Sequence, residues 1–241
     1  MGNPVTWFDL GAADEGPLRA FYAELFGWKL QRMAETYTML STGGGINGGI
    51  GRSQSGDPWL AFYVEVADPQ AMLDKAVSLG GTIVLPVTDI PDVVTFAMFN
   101  DPDGLLIGLI KARQGVEGAA SSAGEGAAVD WFEVLGSDAK SLQAFYGELF
   151  GWSFNDAMTN YAPVDTGTAD GISGAVGASS DSRTWATVYA SVDDVERCLA
   201  RAEEMGGTRE YGPIDVGDHM QTGAIRDPAG NVFGVYHHVP H

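Results

Sequence analysis

Residues Trp7–Trp28 read WFDLGAADEGPLRAFYAELFGW, and Trp131–Trp152 read WFEVLGSDAKSLQAFYGELFGW. The two stretches align without a gap at an offset of 124, Trp7 on Trp131 and Phe21 on Phe145. Further along the offset becomes 126, which sets Trp59 on Trp185, Gly80-Gly81 on Gly206-Gly207, and Asp101-Pro102 on Asp227-Pro228. Similarity sustained over that span marks an internal duplication, and the period is far too long for a solenoid repeat. Each copy is therefore expected to be a domain of its own, residues 1–113 and 129–241. Between them Gln114–Ala128, QGVEGAASSAGEGAA, has the Gly, Ala and Ser content of a flexible linker.

Hydrophobic periodicity orders the elements inside a copy. A strand at Trp7–Leu10 leads into a helix over Gly16–Phe26, in which Leu18, Phe21, Tyr22 and Leu25 share one face. Gly27 closes that helix as its C-cap residue. Three short strands follow, at Lys29–Met33, Tyr37–Ser41 and Gly48–Arg52, with Gly43-Gly44-Gly45 as a turn. The order then restarts with strand Leu60–Val66, helix Pro69–Leu79 and strands at Thr82–Thr88, Val94–Asn100 and Leu105–Lys111. The second copy repeats the scheme, with strands at Val129–Leu135, Trp185–Val192, His219–Arg226 and Val232–His238 and helices at Lys140–Phe150 and Asp194–Met205. The pattern strand-helix-strand-strand-strand thus occurs twice per copy, an α+β chain.

Composition removes several function classes. The chain has 241 residues, 45% of them hydrophobic, with six Trp, which is globular composition. Its 13 Lys and Arg against 32 Asp and Glu leave a net charge of −19, a surface that repels nucleic acid and anionic lipid. No apolar run is long enough to span a membrane, and the first residues lack the basic start and apolar core of a secretory signal. One cysteine, Cys198, cannot form an internal disulfide, which fits a reducing cytoplasm; its helical setting reads as packing rather than nucleophile. The glycine-dense Gly43–Gly49 stretch lacks a phosphate-loop pattern, and neither GxSxG nor CxxC occurs.

AFYAELFGW and AFYGELFGW, the Gly-Gly after each second helix, and DPDGLLIGL and DPAGNVFGV together resemble the vicinal oxygen chelate superfamily. That superfamily includes glyoxalase I, bleomycin-resistance proteins, fosfomycin-resistance enzymes and extradiol dioxygenases. The resemblance covers nearly all of the chain outside the linker. It implies two tandem glyoxalase-like domains, each of two βαβββ modules whose curled mixed sheets form a cup around a ligand. It does not by itself give the reaction.

Enzymes of that superfamily typically hold one divalent metal. By resemblance one ligand lies fourteen residues before the Phe of the Phe-Tyr motif, which here is Trp7 or Trp131. Another is a Glu seven residues after the Asp of the Asp-Pro motif, here Gly108 or Gly234. The position opening the second module is Ala61 or Thr187, and the remaining region, near Gly48–Ile50 and Gly174–Val176, contains no carboxylate or histidine. Indole, glycine, alanine and a threonine methyl do not ligate such an ion, so neither metal nor other cofactor is expected. Glycine in place of a carboxylate predicts open volume in the cup, and Trp7 and Trp131 predict flat apolar walls. Trp59 with Tyr63, and Trp185 with Tyr189, recur at alternating positions of one strand face. A small hydrophobic or aromatic ligand suits such a cup; the alternative is that these rings fill it as core.

Polar candidates sit among them. Asp9 and Glu133 match across the copies two residues after Trp7 and Trp131, placed for general acid/base work or for hydrogen bonding to a ligand. Tyr37 and Tyr161 also match, and His219 stands where the first copy has Val93, which makes Glu133 with His219 an acid/base pair to test. Three functions compete. The first is a metal-independent protein that binds, and as an enzyme would transform by isomerase, cyclase, lyase or hydroxylase-related chemistry, a small organic molecule. The second is a metal-dependent glyoxalase- or dioxygenase-like enzyme, a lyase or oxidoreductase, with displaced ligands Asp9, Glu133 and His219. The third is a structural role with filled cups. Fusion of the copies predicts a monomer in which the two domains stand in for a dimer.

Overall fold

The computed structural model describes residues 2–112, 125–155, 160–179, 183–217 and 219–238. Most of the expected linker, 114–124, lies outside the described residues. The first copy comprises β1 Val5–Ala12, α1 Glu15–Phe26, β2 Lys29–Ala34, β3 Tyr37–Ser41, β4 Asn47–Arg52, β5 Trp59–Glu65, α2 Pro69–Ser78, β6 Thr82–Ile90, β7 Val94–Asn100 and β8 Leu106–Ala112. The second comprises β9 Val129–Gly136, α3 Ala139–Phe150, β10 Ser153–Phe154, β11 Tyr161–Asp165, β12 Ser173–Ala178, β13 Trp185–Ser191, α4 Val195–Glu204, β14 Thr208–Val216, β15 Met220–Arg226 and β16 Val232–His238. Strand–helix–three strands recurs four times, as the duplication predicts.

Each helix begins on an aspartate whose carboxylate accepts backbone N–H groups that would otherwise lack partners: Asp14, Asp68, Asp138 and Asp194. Gly27 and Gly151 close α1 and α3 at φ 72°, in the left-handed region where a Cβ is penalised. The buried face of α1 carries Leu18, Phe21, Tyr22 and Phe26, and that of α3 carries Leu142, Phe145, Tyr146, Leu149 and Phe150. Burying each such side chain contributes on the order of 1.5–3 kcal/mol before entropy is counted. Leu25, expected in the α1 face, lies at intermediate burial, and Phe26 takes its place.

Each copy contributes one open, eight-stranded mixed sheet, ordered β2-β3-β4-β1-β5-β8-β7-β6 in the first and β10-β11-β12-β9-β13-β16-β15-β14 in the second. The parallel pairs set Tyr63 against Gly108 and Tyr189 against Gly234. Packing divides the chain differently from the sheets. One compact unit holds Met1–Trp7, Ala61–Ala120 and Phe132–Ala186, and the other holds Phe8–Leu60, Ser121–Trp131 and Thr187–His241. Each unit therefore takes one βαβββ module from each copy.

Two buried hydrogen bonds show what the recurring Phe-Tyr and Asp-Pro motifs do. In the second unit the Tyr22 hydroxyl donates to Asp227 (3.1 Å); in the first, the Tyr146 hydroxyl donates to Asp101 (2.7 Å). Tyrosine from one copy thus meets aspartate from the other. Asp101 also accepts the N–H groups of Asp103 and Leu105, and Asp227 those of Ala229, Gly230 and Asn231, so each carboxylate pins its own turn. Burial pushes both tyrosines well above the usual phenol range, and the adjoining aspartate adds to the shift. Burial also raises Asp101 and Asp227, opposed by their hydrogen bonds. Among the described residues no helix is long and apolar enough to cross a membrane.

Candidate functional site

Strand alternation separates two faces. On β1, Phe8 and Leu10 are fully buried in the helix-covered core, while Trp7 and Asp9 point to the other side and are half-buried. On β9, Phe132 and Val134 take the core side, leaving Trp131 and Glu133 opposite. The carboxylates predicted from the sequence are thus on the face away from the helices.

In the first unit Glu133 is 8% exposed. Its Oε1 accepts the Tyr161 hydroxyl at 3.0 Å and its Oε2 accepts the Trp185 indole N–H at 2.9 Å. The Arg183 guanidinium stands 5.6 Å from the centre of the Trp185 ring, a cation–π distance. In the second unit the matching Asp9 accepts the Tyr37 hydroxyl at 2.8 Å. Gly49 makes that bond possible, because a Cβ there would strike both the Tyr37 hydroxyl and Asp9 Oδ1. The indole of Trp59 lies over Gly11, where a Cβ would overlap it. The second copy has Leu135 at the position of Gly11, and its indole instead reaches the longer carboxylate of Glu133.

Gly108 and Gly234 correct the expectation of open volume. A Cβ on Gly108 would come within 2.2–2.5 Å of the Tyr63 ring, and one on Gly234 within 2.2–2.4 Å of the Tyr189 ring, both far inside the 3.4 Å at which ordinary contact begins. The room left by a missing carboxylate is occupied by the tyrosine directly across the parallel ladder. Tyr189 is 4% and Tyr63 2% exposed. In the second unit Tyr189 continues into a chain, its hydroxyl 3.1 Å from that of Tyr211, which is 3.3 Å from Thr222 Oγ1. Sequence reading did not find Tyr211 or Thr222. The signal was available in the duplication, since their partners in the first copy are Leu85 and Phe96.

His219 is exposed in the turn before β15 and falls in a different unit from Glu133. His237 Nδ1 stands 2.9 Å from the Val192 carbonyl, and the ring of His238 meets Tyr236 edge-on at 5.3 Å. The Tyr236 hydroxyl donates to Asp130 at 2.8 Å; burial, with Asp130 beside it, pushes this phenol up to about 12. Cys198 is buried, and that burial raises its thiol to about 12, which leaves it inert as a nucleophile. Two clefts of the second unit are lined by other residues: one of about 230 Å³ by Ala12, Pro17, Pro58 and Pro228 among others, and one of about 610 Å³ by Leu25, Phe26, Ser191, Arg197 and Cys198 among others.

The superfamily's metal positions do not fit an ion here. Trp7, Ala61, Gly108, Trp131 and Gly234 offer no donor side chain, and the Thr187 hydroxyl donates to the Val232 carbonyl at 2.8 Å. Among the described residues no three His, Cys, Asp or Glu side chains form a group able to hold a metal.

A family model described as the Glyoxalase/Bleomycin resistance protein/Dioxygenase superfamily matches residues 7–109 and 128–235. CFP32 of Mycobacterium tuberculosis, a protein provisionally named a glyoxylase, is 28% identical over 257 residues, covering 100% of this chain and 96% of its own. DauV of Streptomyces sp. strain C5, named an anthracycline biosynthesis protein, is 26% identical over 269 residues, covering 97% and 92%. The Mn(II)-bound glyoxalase from Novosphingobium aromaticivorans superposes with a TM-score of 0.69 at 15% identity, covering 99% of this chain and 84% of that one. At that identity the likeness concerns the fold alone.

Proposed function

The chain belongs to the glyoxalase/bleomycin resistance protein/dioxygenase superfamily, and from that premise we propose that it binds a planar aromatic organic molecule through side chains alone, without a protein-held metal ion. The observation that carries this reading is the matched pair of carboxylates held by aromatic donors: Glu133 by Tyr161 and Trp185, Asp9 by Tyr37. A carboxylate so fixed presents a directed acceptor beside apolar ring faces, which suits a hydroxyl or amine on an aromatic ring. Both oxygens of Glu133 already accept protein donors, so this residue orients a ligand rather than standing ready as a base. Anthracyclines are fused-ring aromatic compounds, and the name of DauV supports the same ligand class.

On this reading residues 1–113 and 129–241 are the two domains, 114–128 joins them, and one chain is the working unit. The test is fluorescence quenching of the six tryptophans by planar aromatic compounds, with elemental analysis of untagged protein. Saturable quenching, lost in Trp131→Ala or Trp7→Ala, supports the reading. Stoichiometric tightly bound metal, or no quenching by any planar aromatic, refutes it.

A further inference from the structure

The last strands of the two sheets differ in what protects them. β6 and β14 each end their sheet and pair with their neighbours in the same register, Ile83 opposite Phe99 and Arg209 opposite Ile225. In the second copy this edge is closed by ion pairs. Arg209 meets Glu203 of α4 at 3.2 Å and Glu196 at 2.7 Å, and Glu210 meets Arg226 at 2.5 Å. The first copy has Val77 at the position of Glu203, Ile83 at that of Arg209 and Val84 at that of Glu210. All three are exposed, at 44%, 51% and 49%. Leu85 and Pro86 continue the apolar run, and no charged residue occurs from Gly80 to Thr88. β-Branched side chains left in water at the end of a sheet invite association unless charge or cover prevents it. Here the charges that protect the second copy are absent. Pro86 interrupts main-chain pairing within β6, so a partner would meet side chains rather than a continuous ladder.

We infer that the patch formed by Val77, Ile83 and Val84 is covered in solution by the same patch of a second copy of this chain. Two-fold pairing sets the patch on itself and needs no complementary charge. That point decides the occupant in a chain of net charge −19: a partner recognised through charge would be basic, and would be drawn to the acidic remainder of the surface instead. Size agrees with this choice. Three side chains about half exposed, with Leu85 and Pro86 beside them, present roughly 300–400 Å² of apolar surface, the range that marks a contact on a soluble protein. With the polar groups around them, two such patches bury about 1,000 Å², the lower bound of a specific interface. The pairing is therefore weak, with a dissociation constant on the order of 10 µM. Each chain keeps both of its units, so this inference is independent of the ligand reading.

The experiment is sedimentation velocity on the full chain across concentration and salt, with light scattering for mass. The native protein is expected to double its mass as it is concentrated through that range. Raising salt from about 0.1 M to about 0.5 M should tighten pairing about threefold, because screening relieves the repulsion between two acidic chains. Val77→Glu with Ile83→Arg copies the Glu203–Arg209 pair of the second copy, and should weaken pairing about tenfold while the circular dichroism spectrum stays unchanged. Val84→Glu leaves Val77 and Ile83 in place, sets two like charges together across the contact, and should act in the same direction. Ile214→Ser, at an exposed site on the edge of the second copy, should leave pairing as it is. A chain that stays monomeric at every concentration and salt overturns the inference. So does a dimer unaffected by Val84→Glu, one lost in Ile214→Ser, or one that weakens as salt rises.

Discussion

Gly234→Ala decides whether the space left by the superfamily's missing carboxylate is open or filled. Gly234 does not have a positive φ, and in a strand an alanine of compatible backbone geometry ordinarily stabilises by about 0.4–1 kcal/mol through the unfolded chain. The Tyr189 ring reverses the sign. Its Cγ, Cδ1 and Cε1 all lie well inside contact distance of the new Cβ, so the ring must move by roughly an ångström in a packed setting. Overpacking of that kind costs about 1–3 kcal/mol, and losing the 3.1 Å contact with Tyr211 adds about 1 kcal/mol. The expected loss is about 2–4 kcal/mol, seen as a midpoint shift in urea followed by tryptophan fluorescence, or as a Tm lowered by roughly 5–15 °C. Tyr189→Ala alone should cost about 3–5 kcal/mol by leaving a cavity. The double variant should cost no more than that single change, because the clash goes with the ring, giving a coupling of about −2 to −4 kcal/mol in the cycle. If Gly234→Ala costs less than about 0.5 kcal/mol, the ring does not cover the glycine and the reasoning fails.

Tyr22→Phe and Tyr146→Phe should each destabilise by about 1.5–3 kcal/mol, since each leaves a buried aspartate without its phenolic donor; chemical denaturation of either variant within 0.5 kcal/mol of the native chain would contradict this. Alkaline titration followed by phenolate absorbance should show at most five of the eight tyrosines ionising before the fold is lost, because Tyr22, Tyr146 and Tyr236 are raised. The sign follows from linkage: a phenol raised in the folded state contributes stability that is fully present below about pH 10 and is lost as the pH climbs through its folded value. Eight tyrosines ionising together near pH 10 in a chain that keeps its circular dichroism would refute the burial argument.

The duplicated 22-residue stretch made the architecture legible because periodicity and caps are local. Alternation on β1 places Phe8 inside and Asp9 opposite, and Gly27 ends α1, whatever the rest of the chain does. The pairing of Asp9 with Tyr37 and of Glu133 with Tyr161 was foreshadowed only as matching positions, since a hydrogen bond between strands depends on register. Tyr211 and Thr222 stand out in the sequence as departures from Leu85 and Phe96 of the first copy, but nothing in their spacing brings them beside Tyr189.

The sequence by itself determined the two copies and the order of their elements, because these depend on residue identity and short-range geometry. Tertiary structure decided that a tyrosine ring fills the space over Gly108 and Gly234, that Tyr22 and Tyr146 reach aspartates of the opposite copy, and that Tyr189, Tyr211 and Thr222 lie within hydrogen-bond reach of one another. Those outcomes turn on which side chains from distant strands meet at contact distance, and the excluded volume of a ring or the partner of a hydroxyl has no signature until its neighbour is in place.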